Sequence, residues 1–147
     1  MSNDIKQILN DLDDIKLATN TGTQVHAMLS RVFINDDKVC GNLDLINHIR
    51  AVPGLSKLFG AKSQVEVPIA GILNERFVSR RIDRLLVDKV AQEIWILDYK
   101  TDVNKSLFRD KYKMQLQEYA SLISQIYPDY KIYTCILWTH DWFFEYL

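Results

Sequence analysis

Residues 93–101 read EIWILDYKT. Ile94, Trp95, Ile96 and Leu97 form an apolar run of strand length, and a run of that kind reads as a buried strand. It then ends in Asp98, Tyr99 and Lys100, two charged residues where burial would favour more of the same. Upstream, SQVEVPIAGIL (63–73) alternates Val65, Val67 and Ile69 against Glu66 and Pro68, and RFVSRRIDRLLVD (76–88) follows after a short turn. The three segments predict an antiparallel meander.

Downstream, KYKMQLQEYASLISQIY (111–127) places Tyr112, Leu116, Tyr119, Ala120, Ile123 and Tyr127 on one helical face before Pro128. KIYTCILWT (131–139) then reads as a strand, and WFFEYL as a last one. A helix crossing between the meander and the 131–139 strand permits parallel pairing within one mixed sheet. The fold class expected is α/β: helix, three strands, helix, strand, with strand Val, Ile and Leu packed under two main helices. Before the meander, Ile5, Ile8, Leu9, Leu12 and Ile15 give an amphipathic helix over about 4–18. Asn20-Thr21-Gly22 separates it from a second segment through Val25, His26, Met28 and Leu29, and residues 42–59 read as helical or mixed, interrupted at Pro53-Gly54.

Composition sets the outer bounds. A chain of 147 residues fits one domain, taken as 1–147 with its core over about 20–147, and any motor must be a partner. No run approaches the roughly 18 apolar residues of a membrane span and no secretory signal is evident, so the expected location is the cytoplasm, without membrane association. Cys40 and Cys135 are far apart and form no CxxC, which excludes an iron–sulfur cluster built from this chain alone. GLSKLFGAKS (54–63) lacks the adjacent Gly-Lys-Ser/Thr of a phosphate-binding loop, so no ATP site is expected. His26, His48 and His140 are too scattered for a histidine zinc site. The net charge is −1, yet Arg76 to Lys113 holds ten Lys or Arg against six Asp or Glu. Such a stretch fits a solvated face or a track for phosphates beside a small acidic site.

Asp98 and Lys100 share one face of a strand, roughly 7 Å apart at Cα. A hairpin turning near 88–92 can bring Asp83 of RRIDRL alongside Asp98. Two carboxylates so placed repel, and one is pushed towards protonation unless a cation intervenes. Mg²⁺ suits two acids plus a backbone carbonyl, here that of Tyr99; a water acidified by the metal and oriented by Lys100 could attack phosphorus. A bare D-x-K on a strand also fits a solvated ion pair.

The series GTQVH, EVPI, RRIDRLLVD, IWILDYKTD, YKMQLQEY and YPDYKIYTCILWT resembles the nuclease domain of the AddA/RecB type within the PD-(D/E)XK superfamily, in particular the C-terminal domain of alphaproteobacterial AddA. The resemblance spans roughly residues 20–147. It implies a restriction-endonuclease-like core and a Mg²⁺-dependent, exonuclease-like deoxyribonuclease that also accepts Mn²⁺. By position, Asp83 and Asp98 match the metal-binding acids, and Lys100 the lysine that places the attacking water. His26 matches a further metal ligand, Glu66 an acid on the first strand, and Gln115 and Tyr119 a helical Q-x-x-x-Y signature that shapes the site and holds DNA. Arg80, Arg81 and Arg84 are the expected phosphate contacts. The implied partners are DNA, as single strands or ends, and a helicase or AddB-like subunit of double-strand break repair. One departure stands out: the family commonly has glycine three places before the first acid, where this chain has Arg80. Arginine there would narrow the site or add a phosphate contact. It also motivates an alternative, a nuclease-like interaction module in a repair complex with its chemistry weakened.

Overall fold

The computed structural model describes residues 22–36 and 38–147. The amphipathic helix expected over 4–18 lies outside the described residues. Helix α1 runs over 22–30. A two-stranded hairpin follows, β1 (Phe33–Ile34) and β2 (Val39–Cys40), then α2 (Leu43–Ala51) and a 3-10 turn (Ser56–Phe59). The five-stranded sheet is built from β3 (Gln64–Leu73), β4 (Arg76–Asp88), β5 (Glu93–Lys100), β6 (Lys131–Trp138) and β7 (Phe143–Tyr146), with α3 (Lys105–Ile126) between β5 and β6. Strand order is β3-β4-β5-β6-β7; only β5 and β6 are parallel, and the other pairs are antiparallel. The mixed α/β sheet is therefore as the sequence indicates. None of the described helices is long and apolar enough to cross a membrane.

Local chemistry explains the element boundaries. β3 turns into β4 at Asn74-Glu75, both with positive φ (49° and 65°), as a two-residue type I′ hairpin requires. The β4–β5 turn is pinned by Asp88, whose Oδ1 accepts from the Val90 and Ala91 amides. Asn42 caps α2 by accepting from the Leu45 amide, and Asn104 caps α3 by accepting from Leu107. The Asn104 cap starts α3 six residues ahead of the expected position 111. Its first turn exposes Leu107, so the apolar periodicity that marks a helix sets in only at Tyr112.

β5 is central, and Ile94 to Tyr99 are all buried, each aliphatic side chain contributing about 1.5–3 kcal/mol of burial. Its alternation divides the core into two layers. Trp95, Leu97 and Tyr99 face Leu29 and Val32 at the end of α1, Ile46 and Ile49 of α2, and Phe59. Ile94 and Ile96 face Leu116, Tyr119, Leu122 and Ile123 of α3, with Ile82, Ile136 and Trp138. The N-terminal half of α3 is also tied to the far edge of the sheet. Glu145 on β7 accepts from Arg109 Nη2 at 2.6 Å and from Trp138 Nε1 at 3.1 Å, and Lys105 pairs with Asp141.

Gly41, between β2 and α2, has φ 108°, and an added Cβ would come within 3.0 Å of Val32 Cα. Both the backbone and the space exclude a side chain there. Gly41→Ala is expected to cost about 1–3 kcal/mol, read as a lower urea midpoint at unchanged slope.

Candidate active site

The β3–β4 ladder pairs Val65 with Arg84 and Val67 with Ile82, which sets Glu66 opposite Asp83. The β4–β5 ladder pairs Arg84 with Leu97, and one step further sets Asp83 opposite Asp98. Three acids from three strands thus form one row across the sheet. At this row the sheet departs from simple alternation. Ile82 packs into the layer under α3, whereas Arg84, two residues on, reaches into the layer under α1 and α2. Glu66 takes φ 52°, a left-handed backbone that a non-glycine residue adopts at a cost. The twist turns Asp83 towards the margin between layers, where groups from both faces of the sheet can reach it.

They do. From the α1 side, His26 Nδ1 lies 3.7 Å from Asp83 Oδ1, its ring edge-on to Tyr99. From β5, the Tyr99 amide donates to Asp83 Oδ2 at 2.9 Å. Asp98, opposite on β5, is the acid that contacts Asp83. Burial and then this contact push the Asp83 carboxyl up to about 9, against the opposing pull of the Tyr99 amide and Lys100. Lys100 Nζ lies 2.9 Å from Asp98 Oδ2, an ion pair whose angle falls outside hydrogen-bonding range; among the described residues that buried oxygen has no hydrogen-bond partner.

The lysine itself is held firmly. Its Nζ donates to Gln115 Oε1 at 3.0 Å and sits 4.1 Å above the Tyr112 ring. Gln115 Nε2 donates in turn to Tyr119 Oη at 2.9 Å, and Tyr112 Oη donates to Asp102 Oδ2 at 2.6 Å. The Q-x-x-x-Y pair is thus a bracket for Lys100. Tyr119 is only 3% exposed, so the DNA-holding role expected of it gives way to a supporting one. Tyr112 and Asp102 complete the bracket and were not among the expected site residues. The signal available was Tyr112 at i−3 from Gln115, on the same helix flank.

A cleft of about 600 Å³ opens at the Glu66–Asp83 end of this row, lined among others by Thr23, His26, Glu66, Arg81, Asp83 and Thr101; Asp98 and Lys100 lie behind Asp83 and do not line it. Arg81 Nε bonds Glu66 at 2.8 Å at its rim. Arg80 turns the other way, to Glu118 of α3 at 3.0 Å, and does not line the cleft, so it does not narrow it. Arg84 requires a correction: it is fully buried and cannot contact a phosphate. Its guanidinium is spent on protein groups instead.

Among the described residues, no three His, Cys, Asp or Glu side chains converge as a ready-made ligand group. A metal reading rests on the acid pair and its immediate neighbours. No family model and no curated protein sequence matches the chain.

Proposed function

We propose that the chain is a metal-dependent DNA nuclease domain with a restriction-endonuclease-like core, the cutting part of a helicase–nuclease system for double-strand break repair. The observation that supports it most is the meeting of Asp83 and Asp98, from neighbouring strands, beside a lysine locked at 2.9 Å from the second acid.

A divalent cation fits the donors present. Asp98 Oδ2 accepts no hydrogen bond among the described residues although the Lys100 ammonium lies 2.9 Å away, and burial, then the neighbouring acid, holds the Asp83 carboxyl up at about 9; a hard cation between the two acids would relieve both. Asp83, Asp98, the Tyr99 carbonyl and His26 are the residues that would hold it. When bound, Mg²⁺ supplies an acidified water and offsets charge on the phosphate. The chain's own residues do the rest. Lys100 has three donors; Gln115 accepts from one and the Asp98 contact is an ion pair only, so among the described residues a donor is left for a water or a phosphate oxygen. The Gln115–Tyr119 bracket and the Tyr112 ring keep that donor from swinging away. Arg81 at the cleft rim can exchange Glu66 for a phosphate, since the pair is exposed and weak.

The competing reading is an interaction module, suggested by the near-neutral net charge of −1, since Arg80 at the family's usual glycine position turns away from the cleft. Incubating the purified chain with end-labelled single- and double-stranded DNA in Mg²⁺, Mn²⁺ or EDTA separates the two. Cleavage is expected with either metal and none with EDTA; intact DNA in all lanes would leave only the interaction module standing.

A further inference from the structure

Arg84 is fully buried yet, among the described residues, its guanidinium has no carboxylate partner. Nε donates to Tyr99 Oη at 2.8 Å, Nη1 to Ser63 Oγ at 2.7 Å, and Nη2 to both the Leu29 and Val32 carbonyls at 2.9 Å. Phe59 and Phe33 lie against the guanidinium plane region at 4.2 Å and 5.0 Å from Cζ. A buried cation is costly, and an aliphatic side chain would fill the same layer without that cost. Its contacts explain the expense. Leu29 and Val32 are the last-turn and exit residues of α1, which carries His26; partial negative charge gathers on such carbonyls, and a guanidinium answers it. Tyr99 lies between Asp98 and Lys100 and gives its amide to Asp83. Arg84 itself directly follows Asp83.

We infer that Arg84 is a positioning residue, a single cation that fixes α1, β4 and β5 to one another so that His26, Asp83, Asp98 and Lys100 stay in register. The inference rests on the proposed nuclease site, but the brace it describes can be read without any turnover. Groups behind metal-binding residues are worth roughly 10- to 100-fold in metal affinity or activity. Lysine at this position keeps the charge and loses the fork that reaches four acceptors.

In the full chain, Arg84→Lys is expected to speed hydrogen exchange of the position-99 amide at least tenfold more than that of the Ile94 and Ile96 amides, which the brace does not touch. Mn²⁺ affinity should weaken by about tenfold or more. Cleavage of single-stranded DNA, assayed well below the melting temperature, should lose kcat with KM unchanged. Tyr99→Phe removes one acceptor with little effect on folding, and should move the same amide in the same direction by a smaller factor. Uniform acceleration of all core amides, with Mn²⁺ affinity and kcat per folded molecule at wild-type values, would overturn the inference. If wild-type protein cuts no DNA, the nuclease reading fails, and the amide comparison still decides whether the brace exists.

Discussion

Lys100→Ala protein is expected to fold, bind Mn²⁺ with near wild-type affinity, and cleave DNA about 10²- to 10⁴-fold more slowly. The ammonium cannot ligate a cation, so its loss leaves the carboxylates free to do so. What disappears is an amine positioned 2.9 Å from Asp98 and oriented by Gln115. The loss should appear in kcat, because a donor that acts on the reacting water or phosphate matters most as charge develops. Isothermal titration with Mn²⁺ and single-turnover cleavage on the same preparation check both halves. Wild-type turnover in the variant would remove Lys100 from the chemistry.

Asp83→Asn carries the second large effect, and its sign can be worked out in advance. In the fold the Asp83 carboxyl holds its proton up to about 9, against 3.8 when unperturbed. Between those values the folded chain binds more protons at this group than the unfolded chain, so its contribution to stability is complete below 3.8 and is lost as pH rises towards 9. Without divalent cations, wild-type protein should therefore melt on the order of 5–10 °C lower at pH 8 than at pH 5, relative to the variant, whose amide does not titrate. At pH 8, Mg²⁺ should restore the wild type and leave the variant unmoved, while cleavage is lost in the variant at every pH. A wild-type-minus-variant difference that stays flat from pH 5 to pH 8 would show that the two acids do not share one buried space.

Much of the sheet could be read from the chain because its signals are local. The alternation from Val65 to Ile69, the apolar run from Ile94 to Leu97 and the polar turns between them each specify a strand without reference to anything distant. The pairing of Asp83 with Asp98 was legible for the same reason: a short hairpin fixes its own register. Arg84 was not. In RRIDRL it looks like Arg80 and Arg81, and what distinguishes it is a pair of helix-end carbonyls more than 50 positions away. The reversal of faces at Glu66 was hidden too, since a left-handed glutamate leaves no mark in composition. The β1–β2 hairpin was missed because two exposed or half-buried residues per strand carry no period to detect.

Glu145 gives the outer margin of the sheet a say in what happens at its centre. One carboxylate clasps Arg109 of α3 and the indole of Trp138, and Trp138 lies against Tyr112, whose ring covers the Lys100 ammonium. Leu147, two residues on, is itself stitched to Thr134 through its amide and carbonyl. A label, tether or fusion joint at this corner is therefore expected to loosen the hold on the Lys100 ammonium, and the Asn74-Glu75 hairpin tip is the safer point of attachment.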